Sequence, residues 1–158
     1  MLSNHRKRQI AAPLMSVAIG VYVVSWFAPA MRGSGDPAVA HLDALHGWQA
    51  FQITTLGAFE ALQRSAGFGE RLLQVFALAS AFTNAAFIAA AGSWLLRREA
   101  TERPARGVGR ALWACAALNL FWMGIAGPEL RAGYYLWVAS FAALGSGVTM
   151  SRQDSPAR

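Results

Sequence analysis

The chain has 158 residues, enough for one domain, of which 55% are hydrophobic and 14% charged, against about 25% charged in an ordinary soluble domain. The apolar residues fall in long blocks with the charges squeezed between them, which excludes a soluble fold with charge on every face. The net charge of +6 does not indicate nucleic acid as a partner, because the basic residues flank the apolar blocks, where they meet anionic lipid headgroups at a cytoplasmic membrane face.

The first predicted span runs from Ile10 to Ala30 behind the basic cluster His5, Arg6, Lys7, Arg8. At roughly 21 residues it matches the length needed to cross about 30 Å of hydrocarbon. Pro13 is placed in its first turn, where a missing N–H does little harm. Ala28-Pro29-Ala30 has the small-x-small look of a signal cleavage site. The apolar stretch is longer than the 7–15 residues of such signals, so an uncleaved anchor is expected.

Residues 31–70 form the longest predicted segment outside the lipid, opening with the turn-rich run Arg32-Gly33-Ser34-Gly35-Asp36-Pro37. Apolar residues then recur at Leu42, Leu45, Trp48 and Phe51, and again 11 residues on at Ile53, Leu56, Phe59 and Leu62. That offset is close to three helical turns, so both quartets share one side of a helix. Gln49, Gln52, Glu60 and Gln63 are costly at bilayer depth. An outer interfacial helix or lid is expected, with Gly47 and Gly57 able to break it in two. Leu45, Trp48, Leu56 and Phe59 form its alternative use, a face for docking a partner.

The second span, Leu72–Leu96, is uncharged; the third covers Ala111–Gly127 and the fourth Tyr134–Met150. The last two, about 17 residues each, are at the short end of the working range and should stand upright or extend at their ends. The cytoplasmic loop 97–110 carries Arg97, Arg98, Arg103, Arg106 and Arg110, with Glu99–Arg103 and Glu102–Arg106 at helical spacing for surface ion pairs. With the N-terminus inside, ten Lys and Arg lie in cytoplasmic segments and four (Arg32, Arg64, Arg71, Arg131) outside, which follows the positive-inside rule. Trp94 and Trp113 then fall at the inner interface, and Trp26, Trp122, Trp137, Tyr134 and Tyr135 toward the outer one, depths that indole and phenol rings favour. The fold class is therefore an all-α membrane protein: residues 1–158 as a single four-transmembrane-helix bundle, with an outer interfacial helix between spans one and two and both ends cytoplasmic.

Asn84 and Asn119 are the middle residues of the second and third spans. An unpaired amide in hydrocarbon costs several kcal/mol, so both side chains should face the bundle interior, where they can bond each other. Their structural meaning is polar glue between helices; their functional meaning is a mid-membrane polar site, with Ser80 and Thr83 nearby. Small residues at four-residue spacing (Ala12, Ser16, Gly20; Ala77, Ala81, Ala85, Ala89, Ser93; Ala139, Ala143, Gly147) allow close helix packing or self-association.

No predicted span holds Asp, Glu, Lys, Arg or His, which argues against haem and against proton- or ion-coupled transport. Cys115 is the single cysteine, so no internal disulfide forms. His41, Asp43 and His46 are spaced too loosely for a metal site and read as solvated. No phosphate loop, nucleophile elbow or metalloprotease motif occurs, and neither a cofactor nor a catalytic residue is assigned.

Ser25-Trp26-Phe27-Ala28-Pro29-Ala30, then Gly47-Trp48-Gln49-Ala50-Phe51, then an Asn-bearing second span, resembles small uncharacterised bacterial inner-membrane proteins. The resemblance covers about the first 95 residues, departing where Ala85 stands in place of a proline. It implies four helices and the bacterial inner (cytoplasmic) membrane, and no known activity. Two functions are open: a non-catalytic accessory or scaffolding subunit binding another membrane protein or lipid, and a passive channel or small-molecule binding protein. A cavity at mid-membrane, lined by the amides and open to one side, favours the second; a dry, closed bundle favours the first.

Overall fold

In the computed structural model, which describes residues 4–32, 43–64, 67–96 and 107–151, five α-helices meet a small clamp of extended chain at one end. Helix α1 is Asn4–Phe27. The helix begins well before the apolar stretch, so Pro13 lies inside it and not in its first turn; there the ring removes a donor from the helical ladder. The helix stops at Phe27 rather than Ala30, because Pro29 disfavours helical geometry at Ala28.

Strand β1, Pro29–Met31, pairs antiparallel with β2, Leu45–His46, in the register Pro29 to His46 and Met31 to Leu45. The chain between them, which includes Leu42 and His41, lies outside the described residues. Helix α2 follows directly as Gly47–Arg64 and runs unbroken through Gly57.

Two expectations about this segment are corrected. Leu45 is in the strand, 2% exposed, so it is absent from any docking face; its backbone is spent on pairing with Met31. And α2 does not lie across the end of the bundle. It runs antiparallel along the N-terminal half of helix α3, Phe68–Leu96, with Ala50 and Thr54 opposite Ala77 and Ala81, and Gly57 and Ala61 opposite Gln74 and Glu70. The apolar residues of α2 divide between two faces. Ala58 is buried on the α3 side, whereas Trp48, Leu56 and Phe59 point away and stay exposed.

Helix α4 is Val108–Ala126 and helix α5 is Ala132–Met150, joined by a 3-10 turn at Gly127–Glu129. Both begin two or three residues before the predicted spans, and α4 ends one residue short of its own. Gln9–Phe27 of α1, all of α3 and Val108–Ile125 of α4 are long and apolar enough to cross a membrane. Helix α5, also 19 residues and uncharged, is diluted by Gly, Ser and Tyr. Its surroundings explain this: among the described residues no other helix buries so large a share of itself, and it packs against both α1 and α4.

Glycine sets those contacts. A Cβ on Gly147 would strike Met15 Cγ of α1 at 2.5 Å, and one on Gly145 would crowd Leu112 of α4 at 3.3 Å. The core between them is aromatic: Tyr22 stacks on Phe87 with centroids 4.0 Å apart, and Phe87 meets Phe141 edge-on at 5.0 Å. The predicted small-residue stripes meet the interior only in part, through Ala77 of α3 and Gly147 of α5. Ala12, Ser16 and Gly20 are exposed, as are Ala85, Ala89 and Ser93; α1 instead buries Ala11, Met15, Ala18 and Tyr22. Side-chain size favoured the wrong faces because Met15, Tyr22 and Phe87 fill the interior in place of alanine.

The clamp closes the end where α1 finishes. Gly47 N–H donates to Ala28 O at 3.2 Å, Arg32 N–H to Glu129 O at 2.8 Å, and Arg131 N–H to Ala30 O at 2.8 Å. Three distant parts of the chain thereby satisfy one another's backbone groups where helical pairing has ended.

Candidate binding cavity

Asn84 and Asn119 are both interior, at 6% and 0% exposure. They do not bond each other. Asn84 Oδ1 accepts from Tyr22 Oη of α1 at 2.9 Å and from Trp137 Nε1 of α5 at 2.8 Å, while its Nδ2 donates to Ala81 O at 3.1 Å. Asn119 Oδ1 accepts from Ser80 Oγ at 2.5 Å, and its Nδ2 donates to Thr83 Oγ1 at 3.1 Å. Tyr134 Oη donates to the Asn119 backbone carbonyl. Each amide thus joins α3 to different neighbours: Asn84 to α1 and α5, Asn119 from α4. The residue types were readable as interhelical glue; the partners were not, because Tyr22 and Trp137 look like ordinary aromatic filler.

Asn84 is also not at the middle of the bundle. Asn84 is central only in α3, which at 29 residues is far longer than α4 or α5 at 19. Tyr22, its partner, stands five residues before the end of α1, about 8 Å by helical rise, and Trp137 stands five residues after the start of α5. The polar cluster therefore lies toward the clamp end.

Above it opens a cavity of about 210 Å³ with contributions from all five helices and the clamp. Its walls are Trp26, Phe51, Trp122, Tyr134 and Trp137, with Ser25, Thr54, Ser80 and Asn84 as polar members. Asn119 does not line it. The space exists because small residues (Gly47, Ala50, Ala77, Ala81, Gly133) stand opposite the indoles. Trp26, Trp122 and Trp137 suggested an interfacial belt; the structure turns them inward around one hollow. No Asp, Glu, Lys, Arg, His or Cys is in the lining, so the cavity can hold an uncharged molecule by stacking and hydrogen bonding.

Elsewhere, His46 is exposed, with its backbone N–H and Nδ1 both on Gln49 Oε1. Among the described residues no group of three His, Cys, Asp or Glu gathers as for a metal. His41 and the two loop ion pairs, Glu99–Arg103 and Glu102–Arg106, lie outside the described residues.

Fold and cavity together define a helical protein with three helices able to cross a membrane and an aromatic hollow at one end. Comparison with family models, with curated proteins and with solved structures gives no match.

Proposed function

We propose that this chain is a non-catalytic, multi-pass protein of the bacterial inner membrane that binds a small, largely apolar molecule from the outer side. Its four spans are α1, α3, α4 and α5, with both termini cytoplasmic and the clamp facing out. Support for α5 as the fourth span comes from its length, its lack of charge and its enclosure by α1 and α4. Support for the orientation comes from the ten-to-four distribution of Lys and Arg. The bacterial location follows the resemblance in the N-terminal half.

The cavity is the observation that carries the binding function, since a bundle serving only as scaffold has no need to leave about 210 Å³ unfilled beneath three indoles. Exposed Trp48, Leu56 and Phe59 on α2 support a second reading, an accessory subunit that meets another membrane protein or lipid on that face.

Access to the cavity is tested with cysteine. In a Cys115→Ala background, Ala81→Cys places a thiol on the cavity wall and Ala85→Cys one on the exposed side of the same helix. Only a thiolate reacts with maleimide, and hydrocarbon suppresses its formation. N-ethylmaleimide added to intact cells should modify Ala81→Cys and leave Ala85→Cys untouched. If Ala81→Cys stays unmodified until detergent denaturation, the cavity is sealed and the binding function is wrong.

A further inference from the structure

Resting on that binding function, we infer that the cavity takes a neutral planar ring bearing a carbonyl acceptor, the chemistry of a quinone head group. Three features of the lining converge on this class.

The first is charge. No ionic side chain lines the hollow, so an ionic ligand would be desolvated without a counter-charge. Aromatic rings can hold cations, but the backbone bonds of the clamp set Arg32 and Arg131 beside the cavity with Glu129 between them, which disfavours one.

The second is directionality. Asn84 Oδ1 is fully engaged by Tyr22 and Trp137, which fixes the amide's orientation. Its Nδ2 spends one hydrogen on Ala81 O and retains another with no partner among the described residues, although the side chain is 94% buried by its 6% exposure. Trp122 Nε1, also in the lining, has no hydrogen-bond partner among the described residues. Amide and indole N–H groups only donate. The ligand must bring lone pairs, and a carbonyl supplies them without charge.

The third is shape. The walls are flat rings, with Trp137 and Tyr134 centroids 5.6 Å apart and Trp26 and Phe51 5.4 Å apart. An apolar cavity of about 150 Å³ holds benzene; one of about 210 Å³ holds a substituted ring, but any long tail must leave through the opening.

Duroquinone and durene make a matched pair: the same planar six-carbon skeleton and four methyl groups, with and without carbonyls. Binding of each to the purified full chain in lipid nanodiscs is measured by saturation-transfer NMR titration, with empty nanodiscs as the blank. Duroquinone should bind roughly tenfold tighter than durene, the value of about one net hydrogen bond. Asn84→Asp keeps the oxygens that Tyr22 and Trp137 require; measured at high pH, where the carboxylate carries no hydrogen, it lacks the donor and should reduce the preference severalfold. Trp122→Phe keeps a ring, leaves Asn84 alone, and should reduce it less. Equal binding of the two probes, or a preference untouched by both variants, overturns the carbonyl class while leaving cavity binding in place. Absence of binding by either probe, or binding unchanged when Ala50→Trp fills the space, overturns the cavity function and the ligand class together.

Discussion

Asn84→Leu should destabilise the folded protein by about 2–3 kcal/mol, the largest expected loss from one polar side chain here. Leucine keeps the same branching at Cγ, so the cost is mainly that of the lost polar partner, with some crowding from its bulkier methyls. Two donors, Tyr22 Oη and Trp137 Nε1, lose the oxygen that both share, and each sits where a replacement must come from the protein. A buried donor left unsatisfied costs about 1–3 kcal/mol in water-soluble proteins. Interhelical bonds within membranes average about 0.6 and reach about 1.7 kcal/mol, so two sharing one acceptor span about 1–3.5 kcal/mol, which brackets the stated loss. Tyr22→Phe removes one donor and leaves Asn84 engaged by Trp137, and should cost under about 1 kcal/mol. In a double-mutant cycle read by SDS unfolding, Asn84→Leu and Tyr22→Phe should couple clearly. Asn84→Leu and Asn119→Leu should be close to additive, because no bond joins the two amides and their partners differ.

Gly133→Ala should cost about 1–3 kcal/mol, the usual penalty for overpacking. The added methyl would lie 2.7 Å from the carbonyl oxygens of both Ala28 and Pro29. Those oxygens belong to backbone, not to a side chain that can rotate aside, and the neighbouring Ala28 and Ala30 carbonyls are held by Gly47 N–H and Arg131 N–H. Relief therefore requires moving β1 away from α5 and loosening the clamp. Gly20→Ala is the control, since nothing lies within 4 Å of its missing Cβ. It should stabilise by roughly 0.5–1 kcal/mol through better helix propensity. Thermal melts of the two variants should shift in opposite directions.

The contrast between these sites shows what the amino-acid pattern reveals. Long apolar blocks, bounded by arginine and proline, located helices α3, α4 and α5 to within four residues and α1 to within six, because length and apolarity are local properties. That Asn84 and Asn119 would be interior was equally readable, since lone amides amid Leu, Phe and Ala have few favourable alternatives. The depth of Asn84 was not. It depends on how far α3 slides relative to α1 and α5, and that offset is set by Tyr22 and Trp137 reaching one oxygen. The course of α2 was hidden similarly: its apolar residues serve two faces, and a single periodicity was read through both. The cavity was least visible of all. It arises from small residues on different segments, such as Gly47, Ala77 and Gly133, meeting opposite indoles, and nothing local records an unfilled space.

The four-span arrangement is tested most directly by thiol labelling from the two sides of the membrane. Pro128→Cys, exposed in the turn between α4 and α5, and Gly107→Cys, exposed just before α4, are made in a Cys115→Ala background. With a membrane-impermeant maleimide, Pro128→Cys should react in intact spheroplasts and Gly107→Cys only after permeabilisation. Reaction of Gly107→Cys from outside, or of both positions from the same side, would contradict the arrangement of spans and the outward-facing cavity with it.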